Sequence, residues 1–213
     1  MRILFLIIFL AITNCSFFNQ VLYADNEKTI LVIGDSLSAG FGLDLADTWV
    51  TLLEKKLKRE DYGYKVINAS ISGDTTRNGL NRLSRAIDIH QPEILIIELG
   101  GNDGLRGLPI NIMQQNLEKM IQIAKQKNSL IILAGIQIPP NYGEKYAGDF
   151  AAVYPRLAKK YQVLLIPFFM KNVALNPGML QPDGIHPNKK AQPLLMENVW
   201  KTLEAALKNS RAN

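Results

Sequence analysis

Cysteine is nearly absent: among 213 residues there is one, Cys15. It lies within the apolar N-terminus. If that segment is removed, the mature chain has no disulfide, no thiol nucleophile and no cysteine-based metal site. Histidine is also scarce, with only His90 and His186. A long hydrophobic run is missing too. In MRILFLIIFLAITNC the apolar stretch covers about ten residues, the size of a signal-peptide core. A membrane-spanning helix needs roughly 20. No strong excess of one charge is present either, the net charge being +5. Lys and Arg are interspersed with acids, as in EKKLKRED at 54–61, which reads as a solvated helix face rather than a nucleic-acid patch. No aromatic residues are interleaved with basic ones to stack bases, so nucleic acid is not an expected partner.

Residues 1–24 are therefore expected to be a secretory signal peptide, cut after Ala24, with Leu22 as an atypical residue at the −3 position. A lipoprotein cut before Cys15 is the competing reading, with Asn14 where a small residue is wanted. The expected location is periplasmic or secreted. Loss of residues 1–24 removes Arg2 and no acid, leaving a net charge of +4. The rest, 25–213, reads as one domain. It is 47% apolar and 20% charged over the whole chain, the balance of a globular protein.

Short apolar runs alternate with longer periodic ones. TILVIG (29–34) is continuous, the pattern of a strand covered on both faces. DTWVTLLEKKLKRE (47–60) has helical spacing at Trp49, Leu52, Leu53 and Leu57, with Asp47 or Thr48 as cap. YKVINAS (64–70), EILIIELG (93–100), SLIILAGI (129–136) and VLLIPFF (163–169) supply four more strands. Helices are expected over 75–91, 112–128, 145–161 and 189–209. Pro155 should kink or break the third of these, and Pro193 falls early in the last. Five strands alternating with helices, without hairpin signals, predict an α/β fold with a parallel sheet covered on both faces. Ligands in such sheets bind beyond the carboxyl ends of the strands.

The segments at those ends are polar and glycine-bearing. GDS follows the first strand, ASISGDTT the second, ELGGNDGLRGL the third, and QPDGIHPN precedes the last helix. A serine hydroxyl such as that of Ser36 needs an adjacent base to become a nucleophile. His186 can take its proton and return it to a leaving group. Asp183, three residues before His186, can hold the imidazole in one tautomer. Donors for a tetrahedral oxyanion are available in the Ser36 amide, the Gly73 amide and the Asn102 side chain. Taken singly, each has a plainer reading as a cap or turn residue; their arrival at one rim is what favours chemistry. His90 lies at the amino end of the sheet and reads as structural. Asp35 is expected to order the turn through backbone amides, and Asp74 and Asp103 to brace loops.

GDSLS (34–38), Gly73 in SISGDT, Asn102 in GGND and Asp183-Gly184-Ile185-His186 resemble, in order, the four signature blocks of the SGNH (GDSL) hydrolases. The strings INASISGDTT, ELGGNDGLRGL, NYG, PFFM and DGIHPN are similar to the multifunctional periplasmic acyl-CoA thioesterase, lysophospholipase and arylesterase group of that family. The resemblance covers about residues 28–207. It implies a flavodoxin-like three-layer α/β/α sandwich with strand order 2-1-3-4-5. It implies Ser36 as nucleophile, His186 as base, Asp183 as its partner, and Ser36, Gly73 and Asn102 as the oxyanion hole. It further implies that Asp103 to Leu108 is a mobile loop responding to acyl chains.

Leu105 and Leu108 in that loop, and Ile138 and Tyr142 beyond the fourth strand, are the expected acyl-binding residues. Ile136, Pro139 and Pro140 are weaker candidates, and Arg106 is expected to be solvated. The expected function is a secreted serine hydrolase of acyl esters and thioesters, including lysophospholipids. It needs no metal or organic cofactor, and its contact with a membrane surface is transient. A carbohydrate O-deacetylase on the same residues, and a non-catalytic flavodoxin-like binding module, are the alternatives. Asp35 argues against the latter, because it would repel a phosphate placed after the first strand.

Overall fold

The computed structural model describes residues 27–211. The expected signal peptide, Cys15 and both cleavage sites lie outside the described residues. Five strands, β1 (Lys28–Gly34), β2 (Tyr64–Asn68), β3 (Ile94–Glu98), β4 (Leu130–Ala134) and β5 (Leu164–Ile166), form one sheet in the order β2-β1-β3-β4-β5. All neighbours pair in parallel. This is the order the family resemblance implied.

The helices are α1 (Ser36–Ala39), α2 (Trp49–Arg59), α3 (Thr76–His90), α4 (Gly101–Leu105), α5 (Ile110–Gln126), α6 (Glu144–Tyr161) and α7 (Gln192–Arg211). The strands alternate their side chains between two cores, as the period of 2 requires. Ile30, Val32, Ile94, Ile96, Ile132 and Ile166 join Trp49, Leu53 and Leu57 of α2 and Val199, Trp200 and Leu203 of α7. Leu31, Ile33, Leu95, Ile97, Ile131 and Leu133 join Leu83 of α3, Leu117 and Ile121 of α5 and Phe150 and Leu157 of α6. Because both faces are covered, the strands read in sequence as unbroken apolar runs. Among the described residues no helix is long and apolar enough to cross a membrane.

Boundaries differ from the sequence reading for local reasons. Thr48, not Asp47, caps α2, its side chain accepting from the Thr51 N–H. β2 stops at Asn68, whose side chain takes the Ser70 N–H at 3.1 Å and gives its own N–H to the Ser38 carbonyl at 2.8 Å. β5 stops before Pro167, which has no N–H for the ladder. The break expected at Pro155 does not occur: α6 is a single helix from Glu144 to Tyr161. One lost backbone bond is outweighed by Phe150, Val153, Tyr154 and Leu157, all buried on that helix. Pro193 sits in the first turn of α7, where a missing N–H costs nothing.

The strand order reverses between β1 and β3. The loop after β1 and the loop after β3 therefore diverge at their carboxyl ends and leave a crevice there. Ser36 and Asn102 both lie at this point.

Candidate active site

The first wall of the site is the turn from β1 into α1. Gly34 is needed because a Cβ there would stand 2.8 Å from both Glu98 Oε2 and Ser38 Cβ. Asp35 then caps α1: its Oδ1 accepts from the Leu37 N–H at 3.0 Å. Ser36 is the first residue of the helix, so its amide is among those without an intrahelical partner. α1 ends at Gly40 with φ +77°.

The second wall is the loop before α7. Asp183 Oδ1 accepts from the backbone N–H groups of Ile185 and His186, both at 2.9 Å. This is an Asx-type turn, completed by Gly184 at φ +68°. Asp183 Oδ2 lies 2.7 Å from His186 Nδ1, and His186 Nε2 lies 2.9 Å from Ser36 Oγ. The His186 backbone N–H, then its ring, then the Ile185 N–H hold Asp183 down to about 2. An ionised carboxylate can only accept. Nδ1 therefore carries the hydrogen, and Nε2 faces the Ser36 hydroxyl as acceptor. Asp183, His186 and Ser36, separated by up to 150 positions in sequence, form one hydrogen-bonded line.

The third wall joins the loops after β2 and β3. Asn102, in α4, donates from Nδ2 to the Asp74 carbonyl at 3.0 Å and to Asp35 Oδ2 at 3.1 Å. Gly73 has φ +84°, a conformation open to glycine at little cost. Its carbonyl accepts from Arg106 Nη2 at 3.0 Å. Arg106 itself is exposed, as expected of a solvated arginine. Asp74 pairs with Arg82 at 2.8 Å. Asp103 takes both the N–H and the hydroxyl of Thr76, at 2.8 and 2.6 Å, binding α4 to the start of α3. These are the bracing roles expected of the two acids.

Beneath the site lies a carboxyl that the sequence reading passed over. Glu98 ends β3 fully buried, with Oε2 accepting from Ser38 Oγ at 2.6 Å and Oε1 without a hydrogen-bond partner. Burial, reinforced by the neighbouring Asp35, pushes Glu98 well above the usual carboxylate range. Burial also pushes Asp35 up to about 6, against the Leu37 N–H and Asn102, which pull it down. A lone acid inside the apolar run ILIIELG was the available signal. Phe41 and Gln181 were also missed. The Phe41 ring lies 4.4 Å from the imidazole of His186, and Gln181 Nε2 donates to the Phe41 carbonyl at 2.7 Å. A glutamine in a Pro-bearing loop and a Phe between glycines carry no such signal.

The expected acyl-binding residues are not equivalent. Leu108 and Tyr142 are exposed and Leu105 is half-buried. Ile138 is buried in the second core, against the backbone of Gly104. α4 gives the segment 103–105 a helical turn rather than an open loop.

The chain matches the GDSL-like Lipase/Acylhydrolase family over residues 32–193. It is 50% identical over 180 residues to Esterase TesA of Pseudomonas aeruginosa, covering 84% of this chain and 90% of that protein. It is 41% identical over 202 residues to an arylesterase of Vibrio mimicus, covering 95% of this chain and 97% of that protein. With thioesterase 1/protease 1/lysophospholipase L1 of Escherichia coli K12 it shares 45% identity over 176 residues, 83% of each chain. A crystal structure of TesA superposes with a TM-score of 0.82 at 50% identity, covering 84% of this chain and 99% of that one. The match spans every segment of the site, and the chain belongs to the GDSL-like lipase/acylhydrolase family.

Proposed function

We propose that this protein is a serine hydrolase of acyl esters and thioesters in which Ser36 is the nucleophile. The observation that carries the reading is the 2.9 Å contact between Ser36 Oγ and His186 Nε2, with Asp183 Oδ2 2.7 Å from the opposite ring nitrogen. His186 takes the hydroxyl proton as Oγ adds to the acyl carbonyl. The Ser36 and Gly73 amides and the Asn102 side chain receive the oxyanion. Asp183 stabilises the imidazolium while it exists. Collapse breaks the bond to the leaving oxygen or sulfur, which receives the Nε2 proton, and leaves an acyl-enzyme. Water, deprotonated by His186, then releases the acid and restores Ser36.

The names of the relatives, an esterase, an arylesterase and a thioesterase/lysophospholipase, support single-chain acyl esters and thioesters as the substrate class. Leu105, Leu108 and Tyr142 would meet the acyl chain, with Ile138 beneath the loop. Each methylene so buried contributes about 0.8 kcal/mol, enough to select chain length. Asp103 to Leu108 would adjust to that chain. Residues 1–24 would be removed on export to the periplasm or beyond, leaving 25–213 as the mature hydrolase domain. The intact mass of the exported protein tests that point.

Ser36→Ala tests the central reading. It should abolish hydrolysis of p-nitrophenyl esters and labelling by a fluorophosphonate, with an unchanged circular dichroism spectrum. Undiminished turnover would sink it. A preference for acetylated sugars over octanoyl esters would keep the mechanism and replace the substrate class.

A further inference from the structure

Phe41 is a large apolar residue that neither core uses. It is 49% exposed, and the chain is bent to present it. Gly40 and Gly42 on either side have φ +77° and +72°, both in the left-handed region that side chains disfavour. The Phe41 N–H donates to the Ser36 carbonyl at 3.1 Å, and its carbonyl accepts from Gln181 Nε2 at 2.7 Å. The position a Cβ would take on Gly42 is 2.5 Å from Gln181 Oε1, so the turn is closely held. The result is an aromatic ring whose centroid lies 4.4 Å from that of the His186 imidazole, at an interplanar angle of 35°. Ile185, directly before His186, is 48% exposed, and its N–H is pinned to Asp183 Oδ1 at 2.9 Å.

The chemistry says what meets this ring. When the tetrahedral intermediate collapses, the carbon–oxygen bond to the leaving group breaks and the Nε2 proton passes to that oxygen. Proton transfer requires the two atoms to be about 3 Å apart, so the leaving oxygen lies beside Nε2. The group it carries must then lie against whatever surrounds the imidazole. The oxyanion would be held separately, by the Ser36 and Gly73 amides and the Asn102 side chain, as proposed above.

We propose that Phe41, packed against the imidazole of His186, is the leaving-group subsite, an apolar platform that favours aromatic leaving groups over small alkoxides. This rests on the assignment of Ser36 and His186 made above. A backbone already held by two hydrogen bonds loses little freedom when a second ring packs on the Phe41 side chain. An aromatic pair of this kind corresponds to roughly 3- to 10-fold in rate or affinity.

The test holds the acyl group constant and varies the leaving group. Phenyl, 2-naphthyl and ethyl butyrate are compared in the wild type, Phe41→Ala, Phe41→Leu and Phe41→Tyr. The value of kcat/KM reports steps through acylation, whereas breakdown of the butyryl-enzyme is common to all three esters. Phe41→Ala is expected to lower kcat/KM for the two aryl esters about 10-fold more than for the ethyl ester. Phe41→Tyr should keep the aryl preference, Phe41→Leu should lose most of it, and the rate of butyryl-enzyme breakdown should be retained. If Phe41 only orients His186, Phe41→Ala slows all three esters and deacylation by the same factor, and the proposal falls. It falls equally if the aryl preference survives in Phe41→Ala. Should the wild type hydrolyse none of the esters, or Ser36→Ala hydrolyse them, the failure lies with the function itself.

Discussion

Ser38 Oγ donates to Glu98 Oε2 at 2.6 Å, joining the third residue after Asp35 to a carboxyl that burial and Asp35 together push well above the usual carboxylate range. A neutral acid in such a place is mimicked by an amide of the same shape. Glu98→Gln is therefore expected to be as stable as the wild type or more so at pH 8, where the wild type bears the cost of a buried acid beside Asp35. Glu98→Ala leaves a cavity and an unpartnered Ser38 hydroxyl, and should lose about 2–4 kcal/mol. Urea unfolding with a common slope measures both. A Glu98→Gln protein as damaged as Glu98→Ala would mean that Glu98 is ionised.

Asp35 gives a pH dependence with a definite sign. Its carboxyl is raised from 3.8 to about 6, chiefly by burial, so the folded state holds a proton that the unfolded state has released across that window. The associated stability is complete below 3.8 and is lost as the pH rises through about 6, at about 1.4 kcal/mol per unit of pKa difference. Stability should therefore fall between about pH 4 and pH 6, and Asp35→Asn should flatten that fall. A Tm that rises through this interval in the wild type would contradict the assignment.

Asp183 behaves in the opposite way, its carboxyl being held down to about 2 by the His186 and Ile185 N–H groups and the His186 ring. It stays ionised throughout the range in which the enzyme would be assayed. The acid limb of kcat/KM should then belong to other groups and persist in form when Asp183 is replaced. Asp183→Asn should lower kcat by about 10²- to 10⁴-fold by favouring the wrong imidazole tautomer. Asn102→Ala should lower it by about 10²- to 10³-fold through loss of one oxyanion donor. Steady-state kinetics on one p-nitrophenyl ester reads both, and a tenfold or smaller effect of Asp183→Asn would remove it from the proposed line.

Gln181 ties the two halves of the site together. Its Nε2 reaches the Phe41 carbonyl at 2.7 Å and the Pro187 carbonyl at 3.1 Å, while its backbone N–H donates to the His186 carbonyl at 2.7 Å. Its side chain reaches the loop that carries His186 at the Pro187 carbonyl, so it is expected to act as a positioning residue for His186. Gln181→Ala should lower kcat about 10-fold, the scale of one lost hydrogen bond, with little change in KM. Gln181→Glu keeps the volume but cannot donate, so it should be at least as slow. Near-normal kcat in Gln181→Glu would show that bulk, not donation, is what matters.

Much of this was legible because strand ends are fixed by pattern. Unbroken runs such as ILVI and ILII allow only strands covered on both faces, and helices between them force the connections to be parallel. The pattern alone therefore puts Ser36, Gly73, Asn102, Asp183 and His186 at one rim. Asp35, Asp74 and Asp103 could be read as local braces because an acid next to a turn has few other uses. At Pro155 the helix does not break, because Phe150, Val153, Tyr154 and Leu157 pack along the same helix, a weight that the local pattern does not carry.

What the sequence determined by itself, then, was the layered fold, the order of elements and the chemical types at the rim, because these follow from periodicity and from short-range turn chemistry. The tertiary structure alone decided which side chains touch across long separations. Gln181 lies 140 residues from Phe41, and Ser38 lies 60 residues from Glu98. It also decided which expected acyl residue, Ile138, is spent on the core, and how burial shifts Asp35 and Glu98. Desolvation and contact depend on everything packed around an atom, and no window of neighbouring residues contains that information.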